Sequence, residues 1–488
     1  MAYKDFRAFL QRLRDEGQLL HIKQQVRLEP DLGSAGRAVT RLGANAPALF
    51  FDNIYGYKQG KAIAMNIIGS WANHALMLNM PKHTPIKEQF FEFVRRWEQF
   101  PVPVKRMDNA PFYEHEVSKN INLFEMFPFF RLNDYDGGFY IDKACIISKD
   151  LDDPDSFGKQ NVGIYRAQVK GKNHLGIQPV PMHDIGIHLR KAEERNENLP
   201  IALAIGCEPV ITTIAGSPLL YDQSEYEMAG AIQGEAYPIV RGKRTGLDLP
   251  WGAEIVIEGE VIARKREPEG PFGEFTGSYS GGRNMPIIEV HAVYHRENPI
   301  LEDLYLGTPW TEIDYMLALN TCVPLYQQLK DAFPEIIAVN AMYTHGLLAI
   351  ISTRTRYGGF AKAVGLRAMT TPHGLGYCKI VIVVDEDVDP FDLNQVMWAL
   401  STRFAPSKDL VLIPNASILP LDPSAEPAGI THKMVLDATI PVDPDIRGEF
   451  AQPLTPPAAT DQWEKILRDL LQKNTERCNL PHENLPPL

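Results

Sequence analysis

Residues 254–295 read Glu-Ile-Val-Ile-Glu-Gly-Glu-Val-Ile-Ala-Arg-Lys-Arg-Glu-Pro-Glu-Gly-Pro-Phe-Gly-Glu-Phe-Thr-Gly-Ser-Tyr-Ser-Gly-Gly-Arg-Asn-Met-Pro-Ile-Ile-Glu-Val-His-Ala-Val-Tyr-His, two β-branched runs around a segment broken by glycine and proline. The outer runs, Glu254–Arg264 and Pro286–His295, predict strands. Upstream, Ala144–Lys149, Asn161–Lys170, Leu175–Val180 and Ile201–Gly206 predict four more, with one good helix, Asp184–Glu194, among them. Strands on both sides of a single helix, jointed by Gly and Pro, predict a barrel-like sheet over residues 116–300 and not a doubly wound one.

On either side the rhythm changes. In residues 1–115, Phe6, Phe9, Leu10 and Leu13 recur at helical spacing before Gly17. A second helix is predicted from Thr84-Pro85, a cap followed by proline, with Phe90, Phe93, Val94 and Trp97 inward. Pro101, Pro103 and Pro111 then mark a boundary. From 301 to 488, predicted helices Thr311–Ala332, Gly359–Met369 and Pro390–Thr402 alternate with strands Ile336–Asn340, Leu347–Ser352 and Lys379–Val384. The expected architecture is mixed α/β (α+β): a small N-terminal α/β domain, a barrel-like middle and a C-terminal α/β domain. The proline-rich tail from Gln452, around a helix Asp461–Lys473, reads as an arm.

Composition narrows the class. At 488 residues the chain is too long for one ordinary core. Its 44% hydrophobic and 23% charged residues are those of a globular protein. No apolar run approaches membrane-spanning length, and the charged opening Met-Ala-Tyr-Lys-Asp-Phe-Arg does not resemble a secretory signal. A cytoplasmic protein with no membrane partner is expected. Cys145, Cys207, Cys322, Cys378 and Cys478 are scattered without a Cys-x-x-Cys pair, as reduced thiols are. A net charge of −12 argues against nucleic acid, and an anionic substrate would then need local positive groups or metal ions.

The chemistry-bearing residues concentrate in three places. There is no G-x-G-x-x-G after a strand, no Walker A loop, no H-E-x-x-H and no G-x-S-x-G; His373-Gly-Leu-Gly376 is too short to carry meaning. In Pro268–Gly277, Glu269 and Glu274 would diverge by about 140° on a helix and point oppositely on a strand. Gly270, Pro271 and Gly273 exclude regular structure, so an irregular backbone can bring both carboxylates to one place, although a surface turn with solvated acids has the same composition. In Asn161-Val-Gly-Ile-Tyr-Arg166, strict alternation puts Asn161 and Arg166 on opposite faces unless Gly163 hosts a bulge. His183, His188, Glu225 and Glu227 are metal-capable, and an amide, an imidazole and a carboxylate together suit a hard ion such as Mn²⁺. Lys362 and Arg403 follow apolar helical stretches where solvation is the default. Asp385-Glu-Asp387 reads as a strand-end loop and Asp389-Pro390 as a helix cap.

Taken together these residues resemble the UbiD-type family of prenylated-FMN decarboxylases over nearly the whole chain. The similarity is closest to the large subunit of bacterial 4-hydroxybenzoate and vanillate decarboxylases. It rests on the opening Ala-Tyr-Lys-Asp-Phe-Arg, Phe157–Arg166, Leu220–Gly230, Glu269–Gly277 and Asp385–Pro390. The resemblance implies a split β-barrel flavin domain and a C-terminal oligomerisation domain. It places catalysis on Arg166, Glu269 and Glu274. Flavin contacts fall on Ile164, Tyr165, Arg166, Gln178 and Met182, with Lys362 near the cofactor. Asn161, His183 and Glu225 would bind Mn²⁺ (or Mg²⁺) bridging to the cofactor phosphate. K⁺ would sit on carbonyls around Ala215 and Ser217, near Glu225 and Arg403.

The implied reaction is reversible, non-oxidative decarboxylation of a hydroxylated aromatic acid to the phenol through a covalent prenyl-FMN adduct, in aromatic catabolism or detoxification. Arg166 would orient the substrate carboxylate, Glu269 would hold Arg166, and Glu274 would deliver the proton that replaces CO₂. A flavin prenyltransferase would supply the cofactor. A small accessory subunit and assembly into a dimer or hexamer are also implied. The alternatives are a phenol carboxylase, a decarboxylase of acrylic or heteroaromatic acids, since Leu317 and Leu419 are merely apolar, and a non-catalytic flavin-binding assembly subunit, against which the intact Arg166, Glu269 and Glu274 argue.

Overall fold

The computed structural model describes residues 3–57, 60–307, 310–445 and 454–478. Met1 and Ala2 of the opening segment and Gln452 of the tail lie outside them. The chain divides into the units Met1–Thr439 and Ile440–Leu488. In the second, the helix Thr460–Cys478 contains the predicted Asp461–Lys473 and runs past it at both ends.

In the first unit the apolar spacing of the opening residues produces the helix Phe6–Asp15, which buries Phe6, Phe9, Leu10 and Leu13. The helix Ile86–Trp97 buries Phe90, Phe93 and Val94, whereas Trp97 is half-buried. Its start differs from the expected cap: Pro85 takes the cap position, and the Thr84 hydroxyl instead donates to the Pro81 carbonyl at 2.7 Å. Strands Leu19–Ile22, Ala48–Phe51, Ala62–Met65 and Ile300–Asp303 form one sheet, so the chain returns to its N-terminal segment after residue 299.

The large central sheet is the curled half-barrel that positions the site. Its order runs Phe139–Ile141, Ala167–Val169, His174–Ile177, Arg283–His295, Ile255–Glu269, Leu199–Ile205, Cys145–Lys149, Gln160–Ile164, with His115–Val117 added on Arg283–His295. Gln160–Ile164 closes one end of that order and Ala167–Val169 lies near the other. One continuous stretch therefore serves both ends, and the chain changes partners at Tyr165-Arg166. The predicted single strand Asn161–Lys170 is split at that point. Helices Pro209–Ile214 and Glu225–Gln233 also lie in this segment, where the sequence predicted one.

Downstream, Ile336–Tyr343, Leu348–Thr353, Ile380–Asp385, Ile430–Ala438 and Leu410–Ser417 form a five-stranded mixed sheet. The last two strands were not anticipated, and the predicted helix Thr311–Ala332 divides into Glu312–Met316 and Leu319–Lys330. Asp392, not Asp389, caps the helix Leu393–Arg403, accepting from Asn394 N–H at 2.9 Å. Cys145, Cys207, Cys322 and Cys378 are buried free thiols; the side chain of Cys478 lies outside the described residues.

One ionic cluster locks the half-barrel to the N-terminal sheet. Lys143 is fully buried with Nζ 2.6 Å from Glu302 and 2.6 Å from Glu312. The two acids hold the lysine charged, while burial pushes Glu302 up to about 7. Lys143→Met strands two buried acids, and removing one partner of a buried pair costs about 3–5 kcal/mol. Urea unfolding measures it; a midpoint equal to the parent's would show that the cluster contributes nothing.

Candidate active site

The irregular segment between the two long strands does bring both acids to one place. Glu269 ends its strand opposite Arg283. Gly270 at φ 87° turns the chain, and Phe272-Gly273 pairs with Tyr279-Ser280, so Glu274 comes back toward Glu269. A β-carbon at Gly270 would be held in that left-handed conformation, which L side chains resist. Asp136 braces the turn by accepting from Gly273 N–H at 2.8 Å and Asn133 N–H at 2.9 Å.

Arg166 is the common partner. Its Nε and Nη2 donate to Glu269 at 3.0 and 2.8 Å, and its Nη1 donates to Glu274. Tyr140 donates to Glu269 at 3.1 Å, and the Phe272 ring lies 4.9 Å from the guanidinium. Glu269 is 1% exposed and stands behind Arg166, whereas Arg166 and Glu274 face a cavity of about 360 Å³. Burial raises the carboxyl of Glu274 above its ordinary range, although Arg166 opposes the shift.

Gly163 does not host a bulge. The register from Cys145↔Ile164 to Lys149↔Gln160 is unbroken. Asn161 and Arg166 reach the same cavity because the strand stops at Ile164 and the chain changes sheet partners at Tyr165-Arg166. Gly163 leaves room for the Tyr165 ring, which would lie 2.3 Å from an added β-carbon.

The cavity also gathers Asn161, Ile164, Tyr165, Gln178, Met182, His183 and Glu225. His183 precedes the helix Asp184–Glu194, and burial favours its neutral, ligating form. Glu225 opens the helix Glu225–Gln233 and accepts from Val162 N–H at 3.2 Å; burial raises its carboxyl strongly. The buried Asn161 amide nitrogen has no partner, and exchanging amide oxygen and nitrogen would present an acceptor instead. Among the described residues no group of three His, Cys, Asp or Glu stands ready for a metal. The triplet here contains only two such residues, with Asn161 as its third donor. An amide, a neutral imidazole and a carboxylate facing one cavity fit a hard divalent cation shared with a phosphate.

Other expected residues lie elsewhere. Lys362 does not line the cavity; its ammonium donates to the Lys408 carbonyl at 2.7 Å. Ala215 and Ser217 line it beside Glu225, but Arg403 does not, because Asp387 at 2.9 and 2.6 Å and Asp385 at 3.3 Å hold its guanidinium. His188 is buried against Ser148 at 3.0 Å, and neither it nor Glu227 reaches the cavity. Leu317 and Leu419 do line it. Sequence reasoning missed Asp142, His345, His373 and Tyr377 in its wall. The motif set aside as too short is the helix Pro372–Gly376, whose His373 stacks on Tyr377 at 4.4 Å. These residues come from segments far apart in sequence, so no local signal marked them.

Three family models match: the N-terminal, Rift-related and C-terminal domains of 3-octaprenyl-4-hydroxybenzoate carboxy-lyase, over residues 10–92, 104–309 and 314–438. A phenolic acid decarboxylase of Bacillus subtilis is 68% identical, covering 97% of this chain and all of its own length (100%). The solved vanillic acid decarboxylase of Sedimentibacter hydroxybenzoicus, in closed form, superposes with a TM-score of 0.91 at 52% identity, covering 97% of this chain and 100% of that one. The UbiD-class enzyme HmfF of Pelotomaculum thermopropionicum, solved with prFMN in an evolved dimeric form, gives 0.80 at 27% identity over 94% of this chain and 98% of that one. With matches across its length and Arg166 clasped by Glu269 and Glu274, the chain belongs to the UbiD family of carboxy-lyases.

Proposed function

We propose that the protein decarboxylates a hydroxylated aromatic acid of the 4-hydroxybenzoate, vanillate or protocatechuate type to the phenol and CO₂, with prenylated FMN as its cofactor. The observation that carries this reading is the cavity in which Arg166, gripped by Glu269 and Glu274, faces the same space as Asn161, His183 and Glu225. The names of the Bacillus and Sedimentibacter relatives support the substrate class, and the prFMN complex of HmfF supports the cofactor.

Bound there, prenylated FMN would supply the electron sink that an aromatic ring lacks when its carboxylate departs. Asn161, His183 and Glu225 would hold Mn²⁺ or Mg²⁺ against the flavin phosphate, and the carbonyls at Ala215 and Ser217 would take K⁺. Ile164, Tyr165, Gln178 and Met182 would form the flavin's walls. Arg166 orients the substrate carboxylate, and Glu269 fixes the arginine's rotamer with two charge-assisted hydrogen bonds. Glu274, its carboxyl raised by burial, keeps its proton nearer neutral pH than an ordinary glutamate and delivers it to the ring carbon. Leu317 and Leu419 offer the ring an apolar slot.

The test is turnover of these three acids by protein produced alongside a flavin prenyltransferase, reading phenol and CO₂ release together with the mass of the bound flavin. Protein made without that prenyltransferase should be nearly inactive. Full turnover with ordinary FMN would overturn the cofactor, and a loaded enzyme idle on all three acids would overturn the substrate class.

A further inference from the structure

Asp142 has no part in the mechanism above, yet it lines the same cavity at 5% exposure, and neither carboxylate oxygen accepts a hydrogen bond from a protein donor. Its position follows from strand register. Phe139↔Val169, Tyr140↔Gln168 and Ile141↔Ala167 are antiparallel pairs, so Asp142 follows the end of one strand where Arg166 precedes the start of its partner, and both line the cavity. The carboxyl of Asp303 abuts it, with one oxygen taking Leu304 N–H at 2.8 Å. Two buried carboxyls hydrogen-bond each other only when one of them holds a proton.

The surroundings favour that proton. The charge of Arg166 opposes the shift at Asp142, but three of the five guanidinium N–H bonds already go to Glu269 and Glu274. Asp136 adds negative charge beside Asp142, while Glu302 and Glu312 lie beside Asp303. Lys143 neutralises only that last pair, from the opposite side of the chain. Burial raises the Asp142 carboxyl well above its ordinary range, and Asp303 is pushed up to about 7 by the same cause. A substrate carboxylate arriving at Arg166 thus meets a guanidinium with few free donors among acids that would repel it. One neutral acid beside the arginine resolves both problems.

We propose that Asp142 holds the one proton of the pair and, when the aromatic acid binds at Arg166, turns it from Asp303 to donate a hydrogen bond to the substrate carboxylate. The proposal rests on the decarboxylase reading, and it adds a substrate-binding residue that no local pattern marks.

The test uses flavin-loaded enzyme with benzoate and phenol as competitive inhibitors, because benzoate keeps the carboxylate and phenol lacks it. Losing one hydrogen bond to a charged group should raise the KM for 4-hydroxybenzoate and the benzoate inhibition constant about 10–100-fold in Asp142→Leu, leaving phenol inhibition unchanged. Asp142→Asn, which keeps a donor, should recover most of the loss and shows that a folded site responds to the donor and not to shape. In the parent, benzoate affinity should fall as pH rises and the pair gives up its proton. Asp303→Asn removes the neighbouring charge that helps hold it, so this edge should move to lower pH. Unchanged benzoate inhibition in Asp142→Leu, equal weakening of phenol, or a lowered kcat at constant KM would each overturn the proposal. A parent enzyme that decarboxylates no phenolic acid would instead overturn the functional reading on which it rests.

Discussion

Glu274→Gln in fully loaded enzyme should lower turnover by about 10²–10⁴-fold, the usual cost of removing one general acid–base group. Glutamine keeps the size of the side chain and can still accept from Arg166, so the site should hold its shape and its flavin. What it cannot do is give a carboxyl proton to the ring carbon. Burial raises the Glu274 carboxyl, so the proton-bearing form persists to higher pH than in a solvated glutamate. Activity that depends on that form declines as pH rises through the raised value, and this limb should vanish in the variant. Deuterium exchange from solvent into the phenol product is the decisive measurement. If the variant exchanges and turns over like its parent, Glu274 is not the proton donor. Glu269→Gln gives the contrast: it weakens the two-point grip on Arg166, so its defect should include a raised KM for the substrate carboxylate.

The second large effect belongs to Glu225→Ala, which should lose metal and flavin together. Asn161, His183 and Glu225 face one cavity, and Glu225 supplies the negative charge of the three. Without it the remaining amide and imidazole are neutral, and a hard divalent cation bound there would lose its anionic ligand. Flavin absorbance after gel filtration and metal content by elemental analysis read the result without any turnover. Occupancy should fall at least tenfold for both. A variant that keeps stoichiometric flavin after chelation would show that the ion does not bridge protein and phosphate.

By itself the sequence determined the elements whose signals are local. The spacing of Phe6, Phe9, Leu10 and Leu13 set the first helix, and the β-branched runs around residues 254–295 set the long strands, because burying one face of a helix or strand imposes its period on the chain. The glycines and proline of Glu269–Glu274 announced a break in regular structure, and the break is what lets both acids reach Arg166. Tertiary structure alone decided the remainder. Asn161 and Arg166 share a cavity because the chain changes sheet partners at Tyr165-Arg166, which is a property of how the half-barrel closes and not of residue order. Arg403 is held away from the cavity by Asp385 and Asp387, and Lys362 by the Lys408 carbonyl, whereas His345, His373 and Asp142 arrive from segments far apart in sequence. Periodicity reports which face of an element is buried. It carries no information on which other element that face will meet, and a catalytic site is made of those meetings.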